Sequence, residues 1–386
     1  MKKILIISPY FPYPPRDGGK VRLYNLIKHL SKENEIYLLA YIEPEASMES
    51  VSLAKKFCKD VFPVVRHEDK RIERNDIPRC VSFFYTQAMI DELQKVLASV
   101  KPDLVQLDFL IMSEYVNHIK DIPVFYTEHD LGTLDFNQSY HDRDMPDNLR
   151  YAEWRRLVDY EKRIIKKFKS VIVLTQRDKN LMKDFNPDVK TVVIPTGVDI
   201  DFFNPSYGQN AEKQNLIFIG HYKHYPNADA IVYFVKFIFG RILNHIPDIK
   251  LYIVGSGLTE DVKNLACGNI IVTGEVDDVR EYLKMPNIFI APVRLGGGIK
   301  GKVLEAMASG TPVIGTQEAA DGINCTPFFD MLVAENEENF AELAVQLYNN
   351  KILYNEISKN ARINVEKNYD WKSIASKLNE FYTQNL

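Results

Sequence analysis

The densest cluster of chemically useful residues is APVRLGGGIKGKVLEAMASGTPVIGT, residues 291–316. It reads as a strand, then a glycine-rich turn holding Arg294, Gly296, Gly297, Gly298, Ile299 and Lys300, then a helix with Lys302 and Glu305. Consecutive glycines ahead of a helix make a concave row of N–H donors suited to a diphosphate, and the positive helix end adds to it. Arg294 and Lys300 bring positive charge to the same spot, enough to neutralise a leaving group without a metal ion. Glu305 would repel a phosphate there, but it is well placed to accept hydrogen bonds from ribose hydroxyls. A purely structural turn is the competing reading. It fits poorly, because so many glycines destabilise a turn with no packing return.

Two further segments carry chemistry. In PPRDGGKVR (14–22), Gly18 and Gly19 let the backbone approach a ligand at the start of a helix, unless this is an ordinary strand-to-helix turn. In TEHD (127–130), Glu128, His129 and Asp130 follow a strand and would face the ligand side. His129 could hydrogen-bond a sugar hydroxyl or stabilise a reacting group; the alternative is a histidine satisfied by nearby carbonyls. GSGLTE (255–260) begins like a dinucleotide fingerprint but has Glu260 at the third glycine position, so the NAD reading lapses. Gly255 and Gly257 remain as a strand-end turn. YEKRIIKKFK (160–169) carries five basic residues around Ile164, Ile165 and Phe168. It fits contact with an anionic membrane surface or a surface helix with one core face.

These segments need a scaffold, and the spacing of apolar runs supplies one. Unalternating runs rich in β-branched residues occur at 3–8, 35–41, 61–65, 103–108, 123–128, 170–175 and 191–195. After the polar stretch 199–215 they resume at 216–220, 248–255, 269–274, 287–292 and 311–316. Such runs read as parallel strands buried on both faces. Amphipathic stretches between them, such as Val21–Leu30 and Ala88–Val100, make two successive doubly wound α/β sheets. Helices are expected over 336–350 and 351–384, with Trp371 and Phe381 needing a partner surface.

Composition agrees with a globular chain of two or three domains at ~150 residues each. The 386 residues are 46% hydrophobic and 26% charged, with 48 Lys plus Arg against 52 Asp plus Glu, a net charge of -4. That balance argues against nucleic-acid binding, where a basic footprint is expected. Cys58, Cys80, Cys267 and Cys325 are scattered without a CxxC, as reduced thiols would be. The opening MKKILIISPYFPYPP has too short an apolar run for a signal peptide, and no run approaches the ~18 residues of a membrane span. A soluble cytoplasmic protein is expected.

The run GGIKGKVLEAMASGTPVIGT, with IPTGVD (194–199), FIGHYKHYPNADAIVYF (218–234) and TGEVDDVREYL (273–283), resembles the retaining nucleotide-sugar glycosyltransferases of family four. The likeness runs the length of the chain. It implies the GT-B fold, two Rossmann-like doubly wound domains facing across a cleft. On this pattern residues 1–198 bind acceptor, 199–215 connect, 216–365 bind the nucleotide sugar, and 366–386 form a closing helix returning to the first domain. The resemblance implies that Glu305 holds the donor's ribose, that Gly18 and Gly19 lie near the diphosphate and acceptor, and that His129 lies near the transferred sugar. Arg294 and Lys300 would be the diphosphate cations.

The sequence departs from the family pattern of two glutamates eight positions apart, since Gly297 stands eight before Glu305. The amides of Gly297, Gly298 and Ile299 are left to make that contact. After Gly220, where a basic residue commonly follows closely, the chain reads His221, Tyr222, Lys223, which leaves Lys223 for the role. The implied reaction moves a sugar from a nucleoside diphosphate to a hydroxyl of a saccharide or lipid-linked acceptor, in surface polysaccharide synthesis. It would use no protein nucleophile, no cofactor and no metal. The acids Asp277 and Asp278 start a helix instead of forming a ligand pair. Work at the inner membrane face, by peripheral contact, is compatible with it. A sugar-nucleotide 2-epimerase and a non-catalytic partner protein of the same fold are the alternatives.

Overall fold

The computed structural model describes residues 1–15, 18–43, 48–67, 71–72, 74–129, 131, 145–205, 214–285 and 287–386. The chain forms two compact units, Met1–Thr196 with Trp371–Leu386, and Gly197–Asp370.

The first unit holds β1 (Lys3–Ser8), β2 (Glu35–Ile42), β3 (Asp60–Val65), β4 (Leu104–Asp108), β5 (Val124–Thr127), β6 (Ser170–Val173) and β7 (Thr191–Val193). They pair in the order β3-β2-β1-β4-β5-β6-β7, every pair parallel. The second unit holds β8 (Asn215–Ile219), β9 (Leu251–Val254), β10 (Ile270–Gly274), β11 (Asn287–Ala291), β12 (Val313–Gly315) and β13 (Leu332–Val333). Their order is β10-β9-β8-β11-β12-β13, again all parallel. In each sheet the chain begins at a central strand, winds outward one way, then returns to wind the other. The order reverses between β1 and β4 in one sheet and between β8 and β11 in the other. Ligands of open α/β sheets collect at such a reversal, beyond the carboxyl ends of the strands.

Burial explains why these segments are strands. All five residues of β4 and of β11 are buried, so each strand is covered by helices on both faces. Thr86, Thr175, Thr316, Asn336 and Asn350 start helices by accepting a backbone N–H from within the first turn. β13 was too short, at two residues, to register as an apolar run.

Where the apolar pattern suggested one helix over 351–384, the chain makes two, Lys351–Asn368 and Trp371–Asn385. Tyr369 ends the first: its carbonyl accepts the Val198 N–H at 2.8 Å and its hydroxyl accepts the Asn324 N–H at 2.6 Å. The second packs in the first unit, where Trp371, Ile374, Leu378 and Tyr382 share a core with Leu23, Leu26 and Ile27. The polar stretch after residue 199 starts within the second unit, because Arg362 donates to the carbonyls of Ile200 at 3.1 Å and Phe203 at 2.7 Å. Residues 206–213 of it lie outside the described residues.

Gly255 shows how tightly the strand ends of the second unit are drawn together. Its φ is +131°, and a Cβ there would sit 1.9 Å from the Gly220 carbonyl oxygen. Neither the conformation nor the space admits a side chain. We expect Gly255→Ala to unfold the second unit at a temperature lower by more than ~5 °C, since ~1 kcal/mol shifts a unit of this size by about 2–4 °C. A melting curve within ~1 °C of the parent would show that the turn can move aside.

Candidate active site

At the carboxyl end of β11 the glycine turn has a defined shape. Gly296 and Gly298 have positive φ, +91° and +68°, while Gly297 between them does not. Lys300 Nζ donates to the carbonyls of Gly296 (2.9 Å), Gly297 (2.8 Å) and Gly298 (3.0 Å). In a planar trans peptide the N–H points opposite to the C=O of the preceding residue. Gathering these three carbonyls on one ammonium therefore turns the N–H groups of Gly297, Gly298 and Ile299 outward. None of the three amides donates to another group among the described residues. Alternating backbone hands with amides on one side form an anion-binding nest, and it leads into the helix Gly301–Ala308.

Lys302 and Glu305 stand on that helix. Burial pushes the Glu305 carboxyl up to about 7, opposed by the Lys302 ammonium. Burial pushes the Lys302 amine down to about 7, helped by Lys300 and opposed by Glu305. Lys302 Nζ donates to Asn227 Oδ1 and lies 4.6 Å from the centre of the Phe218 ring. Asn227 in turn donates to the His221 carbonyl at 2.9 Å and packs against Gly220. Lys302 thus ties the turn after β8 to the helix after β11, across the reversal of strand order.

Arg294 is held by partners of its own. Its guanidinium bonds both oxygens of Asp229, at 2.7 and 3.2 Å, and lies 4.0 Å from the centre of the Tyr233 ring. Tyr233 donates to Glu337 at 2.7 Å. Lys223 is exposed, its stem beside Gly257. Asp278, close to the start of the helix Arg280–Leu283, pairs with Arg280 at 2.6 Å.

In the first unit, His129 follows β5 and Asp108 ends β4. His129 Nε2 is 3.3 Å from Asp108 Oδ1, an ion-pair distance at an angle off a hydrogen bond. The imidazole stacks on Phe109, centroids 3.6 Å apart and planes 3° apart. Phe109 has φ +68°, a strained value for a side-chain residue and of a kind that gathers at functional sites. Burial raises the Asp108 carboxyl, yet His129, Arg22 and Thr127 bring it below its ordinary value. Arg22 itself is buried and donates to the carbonyls of Ile194 and Pro195.

The expectation that Glu128 faces the ligand side is corrected. Glu128 is buried and accepts the Tyr126 hydroxyl, because residues two apart on a strand share a face. Asp130, like Arg16 and Asp17, lies outside the described residues. Gly18 and Gly19 open the helix Gly18–Leu30, and a Cβ on Gly18 would meet nothing within 4 Å.

The structure therefore brings Gly297, Gly298, Ile299, Lys300 and Glu305 together in the second unit, with Gly220 joined to them through Asn227 and Lys302. Sequence reasoning left Asp108, Arg22, Asn227 and Asp229 without a role. Asp108 carried a readable signal, as an acid closing an otherwise apolar strand.

Two family models match the chain, "Glycosyltransferase Family 4" over residues 16–202 and "Glycosyl transferases group 1" over 213–350. An uncharacterized 44.6 kDa protein of the cps region of Klebsiella pneumoniae is 24% identical, over 98% of this chain and 99% of its own. The Escherichia coli UDP-Gal:alpha-D-GlcNAc-diphosphoundecaprenol alpha-1,3-galactosyltransferase is 27% identical over 55% of this chain and 59% of its own. Among solved structures, sucrose-phosphate synthase of Thermosynechococcus elongatus superposes with a TM-score of 0.77 at 17% identity, covering 100% of this chain and 99% of that one. Anabaena HepE in complex with UDP gives 0.69 at 12% identity, covering 99% and 100%. The two parallel-sheet α/β units match the GT-B fold of these neighbours.

Glu305 offers a test by pH. Its folded value of about 7 exceeds the ordinary 4.5, so folding favours the protonated acid. That contribution is complete below about 4.5 and is lost as pH rises through about 7. Glu305→Gln should therefore gain on the parent in melting temperature between pH 5 and pH 8. A difference that stays constant across that range would show the carboxyl to be solvated.

Proposed function

Because the chain belongs to the glycosyltransferases of the family-4 type, we propose that it moves a sugar from a nucleoside diphosphate to a hydroxyl of a saccharide or lipid-linked acceptor, with retention at the anomeric carbon. Its activity belongs to polysaccharide or glycolipid synthesis. The observation that carries the donor reading is the outward row of amides at Gly297, Gly298 and Ile299, leading into the helix that bears Glu305. The E. coli relative, named for a UDP-linked sugar and a diphosphoundecaprenol acceptor, and HepE with UDP support the same substrate classes.

In this reading Glu305 accepts hydrogen bonds from the donor's ribose, and the amides of Gly297, Gly298 and Ile299 receive the diphosphate. Lys300, Arg294 and Lys223 add positive potential, while Gly220 keeps the neighbouring strand end low. His129 hydrogen-bonds a hydroxyl of the sugar, and Gly18 and Gly19 keep the backbone after β1 open to substrate. The bond from the anomeric carbon to the diphosphate breaks as the acceptor oxygen bonds that carbon on the same face. The acceptor's proton passes to the departing phosphate oxygen. Charge growing on the diphosphate is met by fixed dipoles and cations, and stabilisation of this kind lowers the barrier. No cofactor or metal enters the scheme.

The protein is proposed to work in the cytoplasm at the inner face of the membrane. Lys162, Arg163, Lys166, Lys167 and Lys169 are exposed while Ile164, Ile165 and Phe168 are buried, so the contact would be electrostatic, without insertion. Among the described residues no helix is long and apolar enough to cross a membrane.

A thermal-shift panel of nucleoside diphosphates and their sugars tests the donor. A ligand at 100 times its Kd adds roughly 2.7 kcal/mol, which is easily read. Transfer should persist in EDTA, and proton NMR of the product should show the donor's anomeric configuration kept. Activity lost in EDTA and restored by Mg²⁺ would overturn the metal-free scheme. Inversion would overturn the same-face one.

A further inference from the structure

Three cations flank the nest along the chain, Arg294, Lys300 and Lys302, and the first two have their charges engaged from within. Arg294 is bound through both nitrogens it offers to Asp229. Lys300 lies on the carbonyl side of the loop, behind the amides that face outward. Lys302 differs from both. Its polar partner is a neutral amide, Asn227, and no carboxylate among the described residues lies within ion-pair distance of it.

Its place in the fold is equally particular. The ammonium lies 4.6 Å from the centre of the buried Phe218 ring of β8, while the backbone belongs to the first turn of the helix after β11. The ammonium is thereby fixed at the reversal of strand order, bonded to the Asn227 side chain that packs against Gly220. A half-buried ammonium with only a neutral partner is a group that an arriving anion stabilises strongly. The amine value is depressed to about 7 by burial and then by Lys300, with Glu305 opposing the shift.

We propose that Lys302 is the cation that contacts the donor's diphosphate directly, and that Lys300 is a positioning residue which braces the loop so that its amides face the same anion. This rests on the donor reading above and assigns the work within it. The division follows from geometry. One ammonium holds three loop carbonyls and so cannot also stand on the amide side, while the other holds the Asn227 side-chain oxygen near the turn after β8.

The test compares affinities of the full chain for UDP, UMP and uridine by titration calorimetry, with the GDP and ADP series used if UDP does not bind the parent. Lys302→Met keeps an unbranched apolar stem and removes the charge. It should weaken UDP by roughly ten- to a hundredfold, the value of one charge-assisted hydrogen bond, and leave uridine within about twofold. Lys302→Arg should restore most of the UDP affinity. Lys300→Met should lower the melting temperature and weaken UDP and UMP together, because the nest itself is lost. If Lys302→Met folds poorly, Lys302→Gln gives the same comparison with a partner kept for Asn227. UDP bound as tightly by Lys302→Met or Lys302→Gln as by the parent, or a loss shared equally by uridine, overturns the proposal. A parent that binds none of the three diphosphates overturns the donor reading itself.

Discussion

Lys300 Nζ donates to three successive glycine carbonyls, and planar peptide chemistry turns the following three amides to the opposite side. Much of the second unit depends on this constraint. The loop needs positive φ at Gly296 and Gly298, so side chains are excluded where the ligand would approach. The helix that follows begins without a side-chain cap at Lys300. Its first amides are thus left with the same outward task as those of the loop. A ligand-free nest of this kind is less stable than a capped turn, and the ammonium behind it offsets part of that cost.

A second cost lies one turn along the helix. Glu305 and Lys302 are three residues apart, where a helical ion pair is ordinarily favourable, yet burial pulls both toward their neutral forms near pH 7. Stability alone would place apolar residues here. Perturbed acids and bases beside unpaired amides are instead typical of sites shaped for a ligand. Phe109 repeats this in the first unit, where strained backbone places a ring flat against His129.

Much of this was legible from residue types. Unalternating apolar runs marked every strand of more than two residues, because a parallel strand covered on both faces has no polar side to show. The glycine turn was legible because three glycines before a helix have no packing purpose. What stayed hidden depended on direction. Nothing in GGGIKGK says that the first lysine folds back onto the loop while the second reaches forward to Asn227. Glu128 and His129 are neighbours in the chain, and only the pleat decides that one is buried under Tyr126 while the other meets Asp108. Pairings such as Arg294 with Asp229, 65 positions apart, come from tertiary contact and leave no local pattern.

The two sheets share one plan, yet their reversal points carry opposite chemistry. Beyond β8 and β11 stand outward amides and a lysine that has no carboxylate within ion-pair distance among the described residues, a surface for an anion. Beyond β4 and β5 the Asp108 carboxyl has His129 Nε2 3.3 Å away and feels the buried Arg22 as well. What remains there is an imidazole and aromatic rings, with Tyr10 edge-on to Phe109 at 5.6 Å and to Phe84 at 6.0 Å. Rings of this kind pack against the C–H faces of a neutral, hydroxyl-rich ligand, and the imidazole can serve one of its hydroxyls. The second unit thus presents a surface suited to an anion, and the first presents rings and an imidazole suited to a neutral, hydroxyl-rich ligand.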